Sequence, residues 1–351
     1  MSMIPIISNK SFERIGMIDD YISFIWTSRF YTSGDFELVI NTTHIDMIQI
    51  GYHVERDDDE NIGIIETIKI EKQEDGNDVA IISGRFLISI IGRRIVATQS
   101  SFTNKKIGYI VESLMWDNLV SPQSTPRTIS NVETMDGIED FGPAIDIQIT
   151  GANLLTAISD MCSPQHIGIK MIRDAESEMM QLYLYYGTDR SADQSVNPRV
   201  IFSEKYDNLI SSDFEENHKN IINAVLVAGE GEGIDRKTTW VTDALSPTGL
   251  NRYEYYKDAR NVQSNGGQID PDEYKDMLKG VGKEVLTQFT QAFGAQVDFT
   301  SVRYKEDVFL GDLVTITNER WGISTNARLA EVIESTDEAG LYTINPTFTM
   351  E

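Results

Sequence analysis

The sequence predicts a mainly β protein with an α+β insert, in which two similar small β-barrels flank a helix-containing middle domain that also interrupts the second barrel. Three observations predict this fold: a three-strand pattern that occurs twice, β-like alternation over the first hundred or so residues, and apolar residues at helical spacing in the middle of the chain. The length of 351 residues favours two or three domains. We expect a first barrel at 1–102, a middle domain at 103–199 and 237–294, and a second barrel at 200–236 and 295–351.

The repeated pattern covers residues 48–83 and 308–346. Each copy begins with an apolar residue and a glycine, Ile50-Gly51 or Leu310-Gly311, and a second strand carries one acidic residue among apolar ones, Glu66 or Glu331. A third strand follows an acidic turn, at 74–77 or 337–340. The repetition predicts one small barrel built twice; the alternative is chance similarity between ordinary β-hairpins.

The pattern of the first hundred residues predicts β-strands along the whole segment. Apolar runs occur at Ile4–Ile7 and Ile22–Trp26, and the turn at Thr32–Asp35 predicts a hairpin whose second strand turns Phe36, Leu38 and Ile40 to one face. We interpret the aromatic residues of this hairpin as barrel core or rim rather than a ligand cage, because cross-strand aromatic pairs commonly stabilise sheets. The apolar segment Arg85–Val96 is predicted as one more strand.

In the middle of the chain, the sequence pattern predicts helices that pack against a sheet. Two apolar stripes at helical spacing mark the helices, namely Ile107, Ile110, Val111, Leu114, Met115 and Leu154, Leu155, Ile158, Met161, Cys162. Strands are predicted at 145–149, 167–172, 179–186 and 221–228. The segment Asp270-Pro271 predicts a capped start for a third helix running towards Phe293, with Met277, Val281, Val285 and Phe289 facing inward.

Composition limits the functional classes. The chain has 30 basic and 55 acidic residues and a net charge of −25, which argues against a grip on nucleic acid through phosphate neutralisation. The single cysteine, Cys162, excludes an internal disulfide. We find neither a charged-then-apolar leader nor an apolar run long enough to span a bilayer, so we expect a protein that is not inserted in a membrane or exported by a cleaved signal.

No catalytic, metal-binding or cofactor-binding motif is complete, and we expect no enzyme activity and no cofactor. The four histidines are scattered, and Lys279–Lys283 lacks the residues of a phosphate loop. The glycine-rich turn at Gly229–Gly233 is followed by β-like residues rather than by a helix that could hold a phosphate. We interpret Asp57–Glu60 as a solvated hairpin tip instead of a calcium loop. The sequence does not exclude a pair of catalytic carboxylates of the glycosidase type, since no feature marks one pair of acidic residues above another.

Three segments in order resemble the tail hub proteins of long-tailed bacteriophages with non-contractile tails. They are WTSRFYTSGDFELVI near the start, VLVAGEGEGIDRKTTWV followed by GLNRYEYYKDAR, and FLGDLVTITNERWGISTNARLAEVIES near the end. Such hubs are similar to the hub of contractile-tailed phages, in which two related β-barrels per chain assemble as a trimer into a pseudo-sixfold ring. The resemblance implies a structural virion protein that joins a sixfold tail tube to a threefold tip. Three chains with two equivalent barrels each would meet both symmetries.

The resemblance also implies partners and a location. The expected partners are two further copies of the chain, a distal tail or tail tube protein, the tape measure protein, and a tip fibre or receptor-binding protein. DNA would pass through the lumen without specific binding, past an acidic lining that repels phosphates. The protein would be made in the cytoplasm of the bacterial host and end in the virion, at the tail tip. An alternative is a carbohydrate-binding or carbohydrate-active baseplate protein, because aromatic residues cluster in Trp240–Tyr256.

Eight residues in these segments and in the repeat are predicted barrel or ring-contact positions: Trp26, Arg29, Gly34, Phe36, Gly51, Gly311, Asp312 and Arg328. Gly51 and Gly311 each open the same strand of the repeated pattern, where backbones approach closely. We therefore expect a β-branched residue at either glycine to block ring assembly more than it unfolds an isolated subunit.

Overall fold

The computed structural model describes residues 3–72, 78–174, 176–215, 221–243, 246–286, 292–299 and 301–350. Strands make up 41% and helices 23% of the structure, so the predicted mainly β class is confirmed. The N-terminal strands are β1 Ile6–Ser8, β2 Arg14–Met17, β3 Ser23–Arg29, β4 Asp35–Asn41, β5 His53–Glu55, β6 Gly63–Lys72 and β7 Asp78–Phe86.

The middle region holds β8 Ser100–Lys106, α1 Ile107–Met115, β9 Val132–Thr134, β10 Ala144–Ile149, α2 Leu154–Cys162, β11 Ile167–Arg173 and β12 Met180–Tyr186. The remaining elements are β13 Ile201–Ser203, β14 Leu209–Glu215, β15 Ala224–Ala228, β16 Thr238–Thr242, β17 Glu254–Asp258, α3 Pro271–Leu286, β18 Ala292–Val297, β19 Leu313–Asn318, β20 Ile323–Asp337 and β21 Tyr342–Met350.

One sheet of thirteen strands joins the two ends of the chain. Its main path is β14-β18-β21-β20-β3-β4-β7-β6-β5-β1-β2, with β19 pairing β20 and β13 pairing β19. Two separate closed barrels were expected, whereas none of the described sheets closes into a barrel. The reason lies in β20, which has fifteen residues against six in β19. Its second half therefore extends beyond β19 and pairs with β3 from the other end of the chain.

Three smaller sheets lie outside this central sheet: β8 with β10, β9-β12-β11, and β16-β15-β17. The boundary expected at residue 236 assigned β15 to the second barrel, but β15 pairs with β16 and β17 instead. The third helix was expected to run towards Phe293; α3 ends at Leu286, and Phe293 lies in β18 of the central sheet. Phe289 and the acidic turn at 74–77 lie outside the described residues.

Four hydrophobic clusters underlie this arrangement. One belongs to β3, β4 and β7, a second to β19, β20 and β21, a third to the middle region, and a fourth to β15, β16 and α3. Both predicted helical stripes are buried as expected. The segment Arg85–Val96 is not one strand, because β7 ends at Phe86 and Leu87–Arg93 form a 3-10 helix. Its consecutive buried side chains contact the middle-region cluster, and an apolar run of this kind has no periodicity that separates strand from helix.

Candidate functional site

The candidate site is the junction at which the two ends of the chain meet, and its backbone is the β3–β20 ladder. Seven residue pairs form this antiparallel ladder, from Glu331 opposite Arg29 to Asp337 opposite Ser23. Arg29 Nε donates a hydrogen bond of 2.6 Å to Glu331, and its Nη1 donates to Asp35. Burial lowers the pKa of Arg29, but these two carboxylates outweigh it and raise the pKa overall. Arg29 is therefore positively charged and links the β3–β4 hairpin to β20 through its two ion pairs.

A buried charge network lies on the core side of the same ladder. Arg56, whose side chain is 0% exposed, donates to Glu334 at 3.0 Å and to Asp58 at 2.6 Å. The Glu334 side chain is 1% exposed and also accepts a hydrogen bond of 2.7 Å from the Tyr342 hydroxyl. Lys305 Nζ lies 3.1 Å from Glu334 and 2.7 Å from Asp59. Because a buried charge without its partner is costly, this network specifies how the two ends of the chain meet.

Gly311 and Asp312 fix the loop that precedes β19. The Asp312 carboxylate accepts hydrogen bonds from the Thr188 N–H at 2.8 Å, the Phe309 N–H at 3.0 Å and Arg190 Nε at 2.7 Å. Gly311 has φ +93°, and a Cβ there would lie 2.2 Å from the Phe30 ring. Arg328 Nη1 donates to the Gly311 carbonyl at 2.5 Å. These contacts attach the loop to β12 and to the first hairpin within one subunit.

The repeated pattern has the same backbone geometry in both copies. The Gly51 N–H donates to the Ile65 carbonyl and the Gly311 N–H to the Leu329 carbonyl, both at 2.8 Å. The return bonds run from Ile65 to the carbonyl of Tyr52 and from Leu329 to that of Asp312. A β-bulge follows at once in each case, between Ile65 and Thr67 and between Leu329 and Glu331. Ile65 thus corresponds to Leu329, so the expected equivalence of Glu66 with Glu331 is wrong by one residue.

The structure brings six of the eight predicted positions to the junction, including Trp26, which lies opposite Glu334 in the β3–β20 ladder. Arg29, Gly34 and Asp312 line a cleft of about 780 Å³ between the first hairpin, the loop 57–61, β12 and the loop 304–312. Gly311 and Arg328 lie beside Phe30. Trp26 and Phe36 are buried in the first cluster, as the core interpretation predicted. Gly51 is separate, with φ +83° and the flexible end of Lys10 as its nearest neighbour.

Sequence reasoning missed Arg56, Glu334 and Lys305. It placed Phe30 among the core or rim aromatic residues, where it is buried, but did not predict its contact with Gly311. A signal for Glu334 was present, because positions 332, 334 and 336 alternate along β20 and Val332 is apolar. All three are buried. Period-two alternation therefore marks Glu334 as a core-facing carboxylate that needs a partner.

The charged residues of the cleft contact one another. Lys170 pairs with Glu60 at 2.6 Å, and Lys305 pairs with Asp59. In the described part of the chain no group of three or more His, Cys, Asp or Glu side chains is arranged to hold a metal ion. Burial raises the pKa of Cys162 to about 12, which makes this thiol a poor nucleophile. The cleft thus offers paired charges and aromatic walls, but no nucleophile with an activating base.

A row of side chains that are exposed at Trp240 and Tyr256 and half-buried at Leu226 crosses the sheet β16-β15-β17. Trp240 lies opposite Leu226, and Leu226 lies opposite Tyr256 on the other side. Trp240 is 46% exposed and Tyr256 51% exposed. The Arg252 guanidinium lies 4.7 Å from the centre of the Trp240 ring, so one face of the indole already has a cation over it. Among the described residues, no helix has the length and apolar character needed to cross a bilayer.

The sequence matches a known family, and the fold is similar to several solved structures. A family model described as siphovirus ReqiPepy6 Gp37-like protein matches residues 4–348. The fold is similar to a tail protein from Neisseria meningitidis MC58, with a TM-score of 0.61, 13% identity, and coverage of 100% of this chain and 97% of that one. It is also similar to the 43 kDa tail protein of prophage MuSo2 from Shewanella oneidensis, with a TM-score of 0.56, 13% identity and coverage of 99% and 98%.

A third similar structure is the prophage tail protein gp18 from Listeria monocytogenes EGD-e, with a TM-score of 0.53, 12% identity and coverage of 100% of this chain and 94% of that one. No curated protein matches the sequence. At these identities the likeness concerns the fold, which is shared over the full length of the chain.

Proposed function

This chain belongs to the family of siphovirus ReqiPepy6 Gp37-like proteins and is a bacteriophage tail protein, and from that premise we propose that it is the trimeric hub of the tail tip. In this role three copies form a ring that joins the sixfold tail tube to the threefold tip, and the ring surrounds the channel for the tape measure protein and DNA. The protein is a structural component of the virion and not an enzyme.

The observation that carries this proposal is the order of strands in the central sheet. Eight of its strands form two consecutive units of four, β14-β18-β21-β20 and β3-β4-β7-β6. The last strand of each unit, β6 or β20, accepts a hydrogen bond from a glycine of the repeated pattern, has a bulge at the corresponding position and forms a hairpin with the strand that follows it. One chain thus carries two copies of one building block, and three chains carry six, which is the number that a threefold ring needs to match a sixfold tube. We take these units as the counterparts of the two predicted barrels.

The face of the central sheet opposite its core supports a channel wall. A row of register partners crosses β21, β20, β3, β4, β7 and β6. None of its members is buried. In order they are Thr343, Ser335, Ile25, Glu37, Ser83 and Thr67. The adjacent row turns to the core and includes Glu334, Trp26 and Phe36. Small polar side chains give a passing polymer few sites on which to bind.

The charge of this second face is also suited to DNA passage. Acidic residues on it outnumber basic ones, with Asp35, Glu37, Glu71, Glu331 and Asp337 against Arg29, Lys69 and Arg85. An excess of carboxylates repels phosphates and disfavours binding. We therefore propose that the second face lines the lumen and that DNA passes it without specific contacts. The ring would bind the tail tube or distal tail protein on one side and a tip fibre or receptor-binding protein on the other.

The proposal is tested by counting subunits in the purified chain. We expect mass photometry and negative-stain images to show particles of three copies with a central hole at micromolar concentration. A chain that stays monomeric up to the highest soluble concentration, or forms twofold particles, would overturn the hub assignment. A lumen that proved basic in a reconstruction would overturn the proposed path for DNA.

A second candidate function is carbohydrate binding, which the exposed aromatic rings of Trp240 and Tyr256, on either side of Leu226, favour. Exposed aromatic rings on a sheet face offer stacking surfaces. Zymography on host cell wall and glycan-array binding separate the two functions, because both assays are negative for a pure hub. If binding were found, Trp240→Ala and Tyr256→Ala should abolish it, whereas the buried-core variant Val241→Ala should not.

A further inference from the structure

The cleft of about 780 Å³ between the first hairpin and β12 presents more negative than positive charge to a ligand. Four consecutive acidic residues, Asp57–Glu60, line one side of it, together with the cations Arg29, Lys170 and Lys305. Three of the four acidic side chains are 48–75% exposed, whereas these basic side chains are 27–30% exposed. A molecule that enters the cleft therefore contacts carboxylate oxygens more readily than it contacts cations.

Two tyrosines of the cleft report the same negative field. Burial raises the pKa of both hydroxyls, and nearby carboxylates raise it further, namely Glu334 and Asp59 at Tyr304 and Glu60 and Asp312 at Tyr185. This happens although Lys170 Nζ lies 5.1 Å from the centre of the Tyr185 ring and Lys305 Nζ lies 5.6 Å from that of Tyr304. The field inside the cleft thus favours a positively charged ligand in spite of the cations already there.

The floor of the cleft holds a buried hydroxyl. Ser28 lines the cleft and is 3% exposed, and its Oγ forms no hydrogen bond within the part of the chain that the structure describes. The residue lies opposite Val332 in the β3–β20 ladder, on the same face of β3 as Trp26. Buried hydroxyls without a partner are costly and rare. Ser28 therefore indicates, independently of the charges, that the cleft receives a hydrogen-bond donor.

We propose that this cleft binds an arginine side chain that another protein of the tail presents on a loop or chain end. A guanidinium has five N–H donors in one plane, so one edge can reach Ser28 while the other donates to the carboxylates of Asp57–Glu60. Its flat face suits the aromatic side chains of Tyr185 and Phe309, which also line the cleft. A lysine side chain supplies the charge without the plane.

Charge and volume agree with this occupant. The net charge of −25 disfavours a second copy of the chain as the donor and favours a basic partner. The volume lies within the range of about 300–1,000 Å³ that is usual for ligand sites, which leaves room for the side chain and the backbone that carries it. The site needs a neighbouring protein but no particular number of subunits, so it goes beyond the hub function and does not depend on it.

A blocked tri-arginine peptide tests the chemistry of the site. In isothermal titration with the full chain at low salt, we expect one peptide per chain, bound at least about tenfold more tightly than tri-citrulline and about threefold more tightly than tri-lysine. Citrulline keeps the shape of arginine without its charge. Equal binding of tri-citrulline would overturn the cation site, and equal binding of tri-lysine would overturn the choice of arginine.

Matched variants distinguish the cleft from the general acidity of the chain. Asp57→Asn/Glu60→Gln should weaken tri-arginine binding by about fivefold or more, because it removes two exposed carboxylates of the site. Asp136→Asn/Glu139→Gln makes the same change of charge at exposed positions that do not line the cleft, and should weaken binding by less than about twofold. Equal losses for the two pairs would overturn the site.

Ser28→Ala tests the floor of the cleft without a change of charge. It should weaken tri-arginine binding by about threefold or more, yet leave thermal stability unchanged or slightly raised, because the hydroxyl has no partner in the free chain. Unchanged binding would show that water alone serves this hydroxyl and would overturn the position given to the guanidinium. Self-association of the chain that Asp57→Asn/Glu60→Gln abolished would make a second copy the occupant and overturn the choice of partner. Failure of the peptide to bind would overturn the site and leave the hub function, which is tested by subunit number, standing.

Discussion

The two glycines that open the repeated pattern should differ sharply in their effect on stability. Gly311→Ala places a Cβ 2.2 Å from the Phe30 ring, with two more ring atoms within 2.9 Å. Gly51→Ala meets only the flexible end of Lys10 at 3.0 Å. Both backbones have positive φ, at +93° and +83°. The strain common to both is about 1–2 kcal/mol, and overpacking against Phe30 adds about 1–3 kcal/mol at Gly311 alone.

We therefore expect Gly311→Ala to lower the free energy of unfolding by about 2–5 kcal/mol, and Gly51→Ala by about 1–2 kcal/mol. Urea unfolding followed by tryptophan fluorescence measures both. In a double-mutant cycle, Phe30→Ala should relieve much of the penalty at Gly311 and none at Gly51. Equal losses at the two glycines, or additivity of Gly311→Ala with Phe30→Ala, would refute the packing account.

Three further predictions concern charge and reactivity. Glu334→Ala should destabilise the chain by about 3 kcal/mol, which is the lower end of the range for breaking a buried ion pair, because Arg56 retains its ion pair with Asp58. Thermal unfolding measures this loss. As a control, Glu37→Ala, at an exposed position, should change stability by less than about 0.5 kcal/mol. Hydrogen bonds from Lys237 and Ser264 lower the pKa of Glu230 to about 2 from 4.5. Its contribution to stability, about 1 kcal/mol after solvent screening, is therefore present above pH 4.5 and lost as the pH falls towards 2. A stability profile in which Glu230→Gln matched the wild type over that window would contradict this. Cys162 should not react with a thiol reagent until the chain unfolds, and rapid labelling of the native protein would show that its burial is overstated.

The local parts of the fold could be predicted from the sequence, and the long-range parts could not. The apolar stripe at 107–115 and the alternation at Phe36, Leu38 and Ile40 are repeated signals within a few residues, and both are buried as expected. The pairing of Arg29 with Glu331 joins residues 302 positions apart, and no local pattern encodes which strand completes an edge. A sequence that reads as two barrels is thus also compatible with one shared sheet.

The candidate site was predictable to the same extent. Glycines that open equivalent strands were identifiable, and the two make corresponding backbone hydrogen bonds. The side chains around these glycines could not be predicted, because the Phe30 ring beside Gly311 comes from a hairpin about 280 positions earlier in the chain. We therefore now expect a substitution at Gly311 to impair folding of the subunit. For a substitution at Gly51 we still expect impaired ring assembly.

The ladder between β3 and β20 has a consequence for synthesis on the ribosome. When β3 leaves the exit tunnel, its partner strand β20 has not been synthesised, because Glu331 follows Arg29 by 302 residues. At about 5–20 residues per second the nascent chain waits roughly 15–60 seconds with that edge bare. The N-terminal hairpin must survive this interval without capturing a strand from a neighbouring polysome, so a slow-translating host or a lost chaperone should reduce the yield of this protein before it affects the finished particle.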